Sequence, residues 1–149
     1  MDYSLLTPIE EVDEGSNQSE LTFFTTFISV LEGIKTRIKN LHWAAEKLPN
    51  RDKRGAHIYL DEFLDDVIDY QDKLAESCQG ILGSMSTTAI SGVPFTANST
   101  AELMTYCKDT AVNFYNNIPA STIYAGIKSE TEVLILNINK YTFLFRLTE

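Results

Sequence analysis

Four stretches of this chain space their apolar residues for one face of an α-helix, and the first does so in strictly alternating steps of three and four. The first carries Phe24, Phe27, Leu31, Ile34, Ile38, Leu41 and Ala45, with Ser19 and Glu20 as a cap region ahead of Leu21 and Pro49 and Asn50 as its stop. The second runs from about Asp52 to Leu82, with Leu60, Leu64, Val67, Leu74, Cys78 and Ile81 on one stripe and Gly83 as terminator. A third spans about Thr100 to Asn117, burying Leu103, Tyr106, Cys107, Ala111, Phe114 and Ile118 before Pro119 closes it. The fourth runs from about Ile127 to Leu147. Its apolar set (Val133, Leu134, Ile138, Tyr141, Phe143, Leu144, Phe145) is wide enough to pack on more than one neighbour.

Four amphipathic helices and no strand pattern predict an all-α four-helix bundle. At 149 residues the chain is one domain, and it shows no internal repeat. The stretch Ser84–Asn98 is rich in Ser, Thr and Gly, with Pro94, and reads as a loop. It is long enough to cross the bundle, leaving the second and third helices parallel. That long crossover is the arrangement of a ferritin-like bundle rather than an up-down one. Residues 1–20 read as an acidic flexible arm ahead of a bundle domain at 21–149. The arm carries Asp2, Glu10, Glu11, Asp13, Glu14 and Glu20 and no Lys or Arg.

The net charge of −9 disfavours unaided binding to DNA, RNA or an anionic membrane, although without the arm's six acids the body carries only −3. Cys78 and Cys107 lack any CxxC or CxxH spacing and read as two buried thiols in a reducing compartment. There is no apolar run of membrane-spanning length, and MDYSLLTPIEEVDEG lacks the build of a signal peptide, so the expected location is cytoplasmic. The sequons at Asn17 and Asn98 are then chance matches. Phosphate-loop, nucleophile-elbow, HExxH and ExxH motifs are all missing, so a di-iron site inside one bundle is not expected.

What remains is a set of metal-ligand residue types. His42 falls on the inward side of the first helix, four residues after Ile38 and three before Ala45. His57 and Asp61 stand one turn apart on the second helix, and Asp72 and Glu76 repeat that spacing. From Asp61 to Asp72 the helix makes three turns plus about 20°, so the pairs share a face but stand roughly 16 Å apart along the axis. Ligand bonds of about 2.0–2.2 Å cannot bridge that gap. A second copy laid antiparallel about a two-fold axis near Asp66 and Val67 closes it, facing His57/Asp61 of one chain with Asp72/Glu76 of the other. Two imidazoles and three carboxylates make a mixed N/O set suited to iron, manganese or zinc. Asp65, Asp66, Asp69 and Glu62 are expected to flank that contact or face solvent.

The run NLHWAAE…HIYLDEFLDD…DKLAESCQGILG resembles the Dps family, the ferritin-like mini-ferritins named for DNA protection in starved cells. The resemblance rests on His42–Trp43, His57–Asp61 and Asp72–Glu76, with Ala75 and Gly83 in matching places, over about residues 38–83. It implies an intersubunit ferroxidase site, with His42, His57 and Asp61 from one subunit and Asp72 and Glu76 from its two-fold mate, in a hollow dodecamer. Its expected substrates are Fe(II) and hydrogen peroxide, and its product a stored ferric mineral that protects against oxidative damage. Trp43 is expected to pack against the dimer contact, and Glu130 and Glu132 are candidates for an acidic pore. This chain departs from the family in a His42–His57 spacing about three residues longer, in the missing helical pattern over 84–98, and in an acidic rather than Lys-rich tail. Direct DNA binding is therefore not expected. The alternative is a non-enzymatic ferritin-like shell or interaction protein, with a structural metal site and an acidic arm that docks a basic partner.

Overall fold

A computed structural model describes residues 14–149, with side chains from Asn17 onward except Ala89. Its elements are α1 (Glu14–Trp43), α2 (Lys53–Leu82), α3 (Thr100–Asn117) and α4 (Ala125–Leu147), and among the described residues there is no strand. The described residues form an all-α four-helix bundle. None of these helices is long and apolar enough to cross a membrane.

The helix ends follow local chemistry. Asp52 caps α2 by accepting from the Gly55 amide at 2.8 Å, and Ser99 caps α3 by accepting from Glu102 N–H at 3.1 Å. Glu102 reaches back to the Asn98 amide at 2.6 Å, nearly closing a capping box. Gly83 ends α2 at φ 99°, a conformation that favours glycine. Two boundaries differ from the sequence reading. The first helix begins at Glu14, not Leu21, so the C-terminal part of the acidic arm is helical. Acids in a first turn favour the positive end of the helix dipole, and Glu20 is tied to the bundle by accepting from the Tyr124 hydroxyl. The rest of the expected arm, residues 1–13, lies outside the described residues. At its other end α1 stops at Trp43, and a 3₁₀ turn over Ala45–Lys47 keeps Ala45 buried.

Helix order follows from which ends touch. Buried Asn50, just before α2, donates to the Thr148 hydroxyl at 2.7 Å and the Thr100 hydroxyl at 3.2 Å. The Asp52 amide donates to the Thr148 carbonyl at 2.8 Å. The starts of α2 and α3 and the end of α4 therefore meet at one end of the bundle. At the other end Phe27 stacks on Phe114 at 4.1 Å, and Phe24 meets Tyr124 at 5.2 Å. Residues 83–99 run back between these ends along the outside of α1. Val93 N–H donates to the Ser29 carbonyl at 3.1 Å, and Arg37 donates to the Phe95 carbonyl at 2.7 Å. Gly33 permits this approach, because a Cβ there would overlap the Val93 carbonyl oxygen. Apart from a 3₁₀ turn at Thr87–Ala89, the segment is irregular, as expected.

The core interior is apolar along its whole length, from Phe24 through Leu31, Ile38, Leu60 and Phe63 to Phe145. Burying each such side chain contributes on the order of 2 kcal/mol, and this burial holds the bundle together. Polar ties fix helix rotation. Gln71 on α2 donates to Glu32 at 2.9 Å and the Ile28 carbonyl at 3.1 Å, and Lys35 donates to Gln71 at 2.8 Å. The Gln71 hydrogen bond, helped by Lys35, holds the Glu32 carboxyl below its usual pKa. Between α2 and α4, Tyr70 and Thr131 share a hydrogen bond at 2.8 Å, and Lys73 bridges Asp69 and Glu130 at 3.2 and 3.6 Å.

Candidate metal centre

The α1–α2 hairpin places the last turn of α1 against the first turn of α2, and so brings His42 to His57. Their rings stack face to face, 3.8 Å between centroids and 18° from parallel. Each Nδ1 lies 3.1 Å from the main-chain carbonyl oxygen of the other histidine. A carbonyl oxygen only accepts, so each Nδ1–H must donate. In the neutral ring that leaves Nε2 with a free lone pair, the atom a metal takes. Donating the second ring N–H to a carbonyl is also how ligating histidines are commonly oriented. His42 is half-buried and His57 exposed, so the pair opens to solvent.

Asp61 follows one turn along α2, more than half exposed, and its carboxylate lies 3.5 Å from Lys39 Nζ. Lys39 sits three residues before His42 on α1 and reaches over the Trp43 ring at 6.0 Å. Any cation recruited to Asp61 would have to displace this ammonium. Asp72 and Glu76 are exposed on the same flank of α2, roughly 16 Å further along. Among the described residues neither forms an ion pair, and no group of three or more His, Cys, Asp or Glu side chains converges closely enough to hold a metal. One chain thus joins His42 and His57, leaves Asp61 one turn along α2 and turned to Lys39, and keeps Asp72 and Glu76 apart.

Between the histidine pair and the acid pair the α1–α2 flank forms a shallow groove of about 360 Å³ lined by Lys35, Lys39, Trp43, Leu64 and Ile68 among others. Trp43 is 72 % exposed and Ile68 43 %. The other residues singled out from the sequence are placed as follows. Glu130 pairs with Lys73, and Glu132 accepts from the Tyr115 hydroxyl at 2.7 Å. Asp61, Glu62, Asp65 and Asp69 are exposed and Asp66 half-buried; burial first, then Asp66, Glu62 and Asp65, pushes the Tyr141 hydroxyl up to about 12. Cys78 and Cys107 are free and buried, and burial raises both thiols.

Sequence periodicity missed the reciprocal imidazole–carbonyl bonds and the lysine. The first depend on the path of the hairpin turn, which periodicity does not describe. Lys39 was detectable, since a residue three before His42 shares its face. No protein-family model, no curated protein and no solved structure matches the chain.

Proposed function

We propose that this protein is a ferritin-like, Dps-type ferroxidase and iron-storage protein that oxidises Fe(II) with hydrogen peroxide at sites shared by two chains. The reading is carried by the stacked His42–His57 pair, in which two carbonyl bonds leave both Nε2 atoms available. The crossing connection agrees with a ferritin-like bundle. The separated acid pair agrees with a two-fold contact in which Asp72 and Glu76 of one copy approach His42, His57 and Asp61 of another. The partly apolar groove around Trp43 and Ile68 lies where that contact runs.

Fe(II) is the substrate in this scheme. The imidazoles bind it, while the carboxylates favour the harder Fe(III) product. Two Fe(II) give one electron each to one peroxide, which takes two protons and leaves as two waters. No hydroxyl radical is released in that balance, and the ferric product is stored inside a hollow oligomer, a dodecamer by family resemblance.

The test adds Fe(II) and peroxide to metal-free protein and follows ferric absorbance. Turnover is expected, and His57→Ala and Glu76→Ala should each abolish it. Co-refolding these two inactive variants restores about a quarter of the activity, because half of randomly formed pairs carry one intact site of two. A mixture that stays inactive refutes the shared site. Intact assembly without any turnover favours the non-enzymatic shell.

A further inference from the structure

α4 carries two apolar stripes, and the bundle uses only one. Ile127, Leu134, Ile138, Tyr141 and Phe145 are buried against the other helices. Val133, Leu136, Phe143 and Leu147 are exposed to 48, 66, 52 and 64 %. With Ser129 and Lys140 they advance in alternating steps of four and three. At about 100° per residue, Leu136 and Phe143 point away from the core, roughly 180–200° from Leu134. Single exposed leucines are ordinary, but four large apolar side chains on one heptad stripe form the seam of a helix pair.

We propose that this outer seam packs antiparallel against the same seam of a second copy. With the two-fold axis at the level of Ile138, Val133 meets the partner's Phe143, Leu136 meets the partner's Lys140, and Ser129 meets the partner's Leu147. Each layer sets a small or flexible side chain against a larger one, and the Lys140 stem lies on leucine with its ammonium free to reach water. On one flank Glu132 faces the partner's Arg146, an opposite-charge pair that symmetry forms twice. Both side chains are exposed, and Glu132 accepts from the Tyr115 hydroxyl through one carboxylate oxygen, which leaves the other for the partner. A parallel pairing instead sets Lys140 against the partner's Lys140 inside the seam and leaves Glu132 beside the partner's Asn137. Charge therefore selects the antiparallel copy.

From Ser129 to Leu147 the seam is about 27 Å long, so a pair buries on the order of 1,000 Å² in total. That is the low end for a specific interface, and the association should depend on concentration in the micromolar range. The surface is separate from the α1–α2 flank and does not rest on the ferroxidase reading. A tetrahedral shell of twelve gives each chain one kind of two-fold neighbour.

The experiment is sedimentation velocity of the full chain from about 1 to 200 μM, with Leu136→Glu/Phe143→Glu as the disrupting variant and circular dichroism as the check on folding. The wild type should show a concentration-dependent step that the variant lacks. Glu132→Arg alone should weaken that step at least several-fold, and adding Arg146→Glu should restore it, which separates a lost contact from a damaged fold. Orientation is read by mild oxidation. Asn139→Cys, beside its own copy only in the antiparallel pair, should cross-link, whereas Val133→Cys should not. An unchanged mass distribution in the disrupting variant, or cross-linking of Val133→Cys instead, overturns the proposal.

Discussion

Replacing Asn50 by alanine should test whether one buried amide holds together the end of the bundle that carries the histidines. The side chain is 2 % exposed and donates at 2.7 Å to Thr148 and at 3.2 Å to Thr100. Each hydrogen bond contributes about 1 kcal/mol net. Thr148 keeps a partner, since its hydroxyl also donates to the Phe145 carbonyl at 2.6 Å. The Thr100 hydroxyl, 1 % exposed, has no other side-chain partner among the described residues and becomes an unsatisfied buried group, costing about 1–3 kcal/mol. Together these give a loss of roughly 2–4 kcal/mol, the low figure applying where water enters the vacated space. Urea unfolding at fixed protein concentration reads this directly. At a slope of about 2 kcal/mol/M, the midpoint falls by roughly 1–2 M. Thr148→Val, which removes one partner at constant volume, should cost only about 1 kcal/mol, and the double variant should lose less than the sum of the singles. A loss below about 0.5 kcal/mol for Asn50→Ala refutes the view that this amide ties three helix ends together.

Gly33→Ala should destabilise by roughly 1–3 kcal/mol in the same assay, because the added methyl meets the Val93 backbone and the crossing segment must shift off α1. A neutral result means that the segment is not seated there. Lys39→Met should raise the affinity for Zn(II), a redox-silent probe titrated calorimetrically, by roughly two- to five-fold. That range is what freeing Asp61 from an exposed ion pair is worth, and a fall in affinity counts against competition by the ammonium. The Tyr141 hydroxyl keeps its proton up to about 12 in the folded chain but only to about 10 when unfolded. Its contribution to stability is therefore complete below pH 10 and is lost as pH rises from 10 through 12. Tyr141→Phe should flatten that part of the stability–pH curve, and an unchanged slope removes Tyr141 as its cause.

The core was legible because its cause is local. Steps of three and four at Phe24, Phe27, Leu31, Ile34 and Ile38 have one geometric solution, and all five side chains are buried. The start of α1 was not legible at Leu21, because residues before it carry no apolar stripe; Glu14–Glu20 joins the helix through backbone bonds and the Glu20–Tyr124 contact, made across the whole chain. On α4 the pattern held more than one interior needs. Val133 and Phe143 belong to a second stripe on the solvent side, and composition alone cannot separate two faces of one helix.

The crossing connection also decides which part of α1 remains free for a partner. Ser29, Gly33 and Arg37 recur every four residues on one face, and residues 92–95 cover all three. Glu32, Thr36, Lys39 and Trp43 fall on the neighbouring face, about 100° away, and border the open groove beside α2. A direct α2–α3 hairpin would leave both faces of α1 exposed and give a second copy two places to sit. With one face covered, the remaining groove runs from the histidine pair toward the acid pair on α2. The same segment that sets helix order thus narrows the choices for a second copy on α1, and loosening it through Gly33→Ala should weaken metal binding as well as stability. Unchanged Zn(II) affinity in a clearly destabilised Gly33→Ala chain would separate the two roles and refute this link.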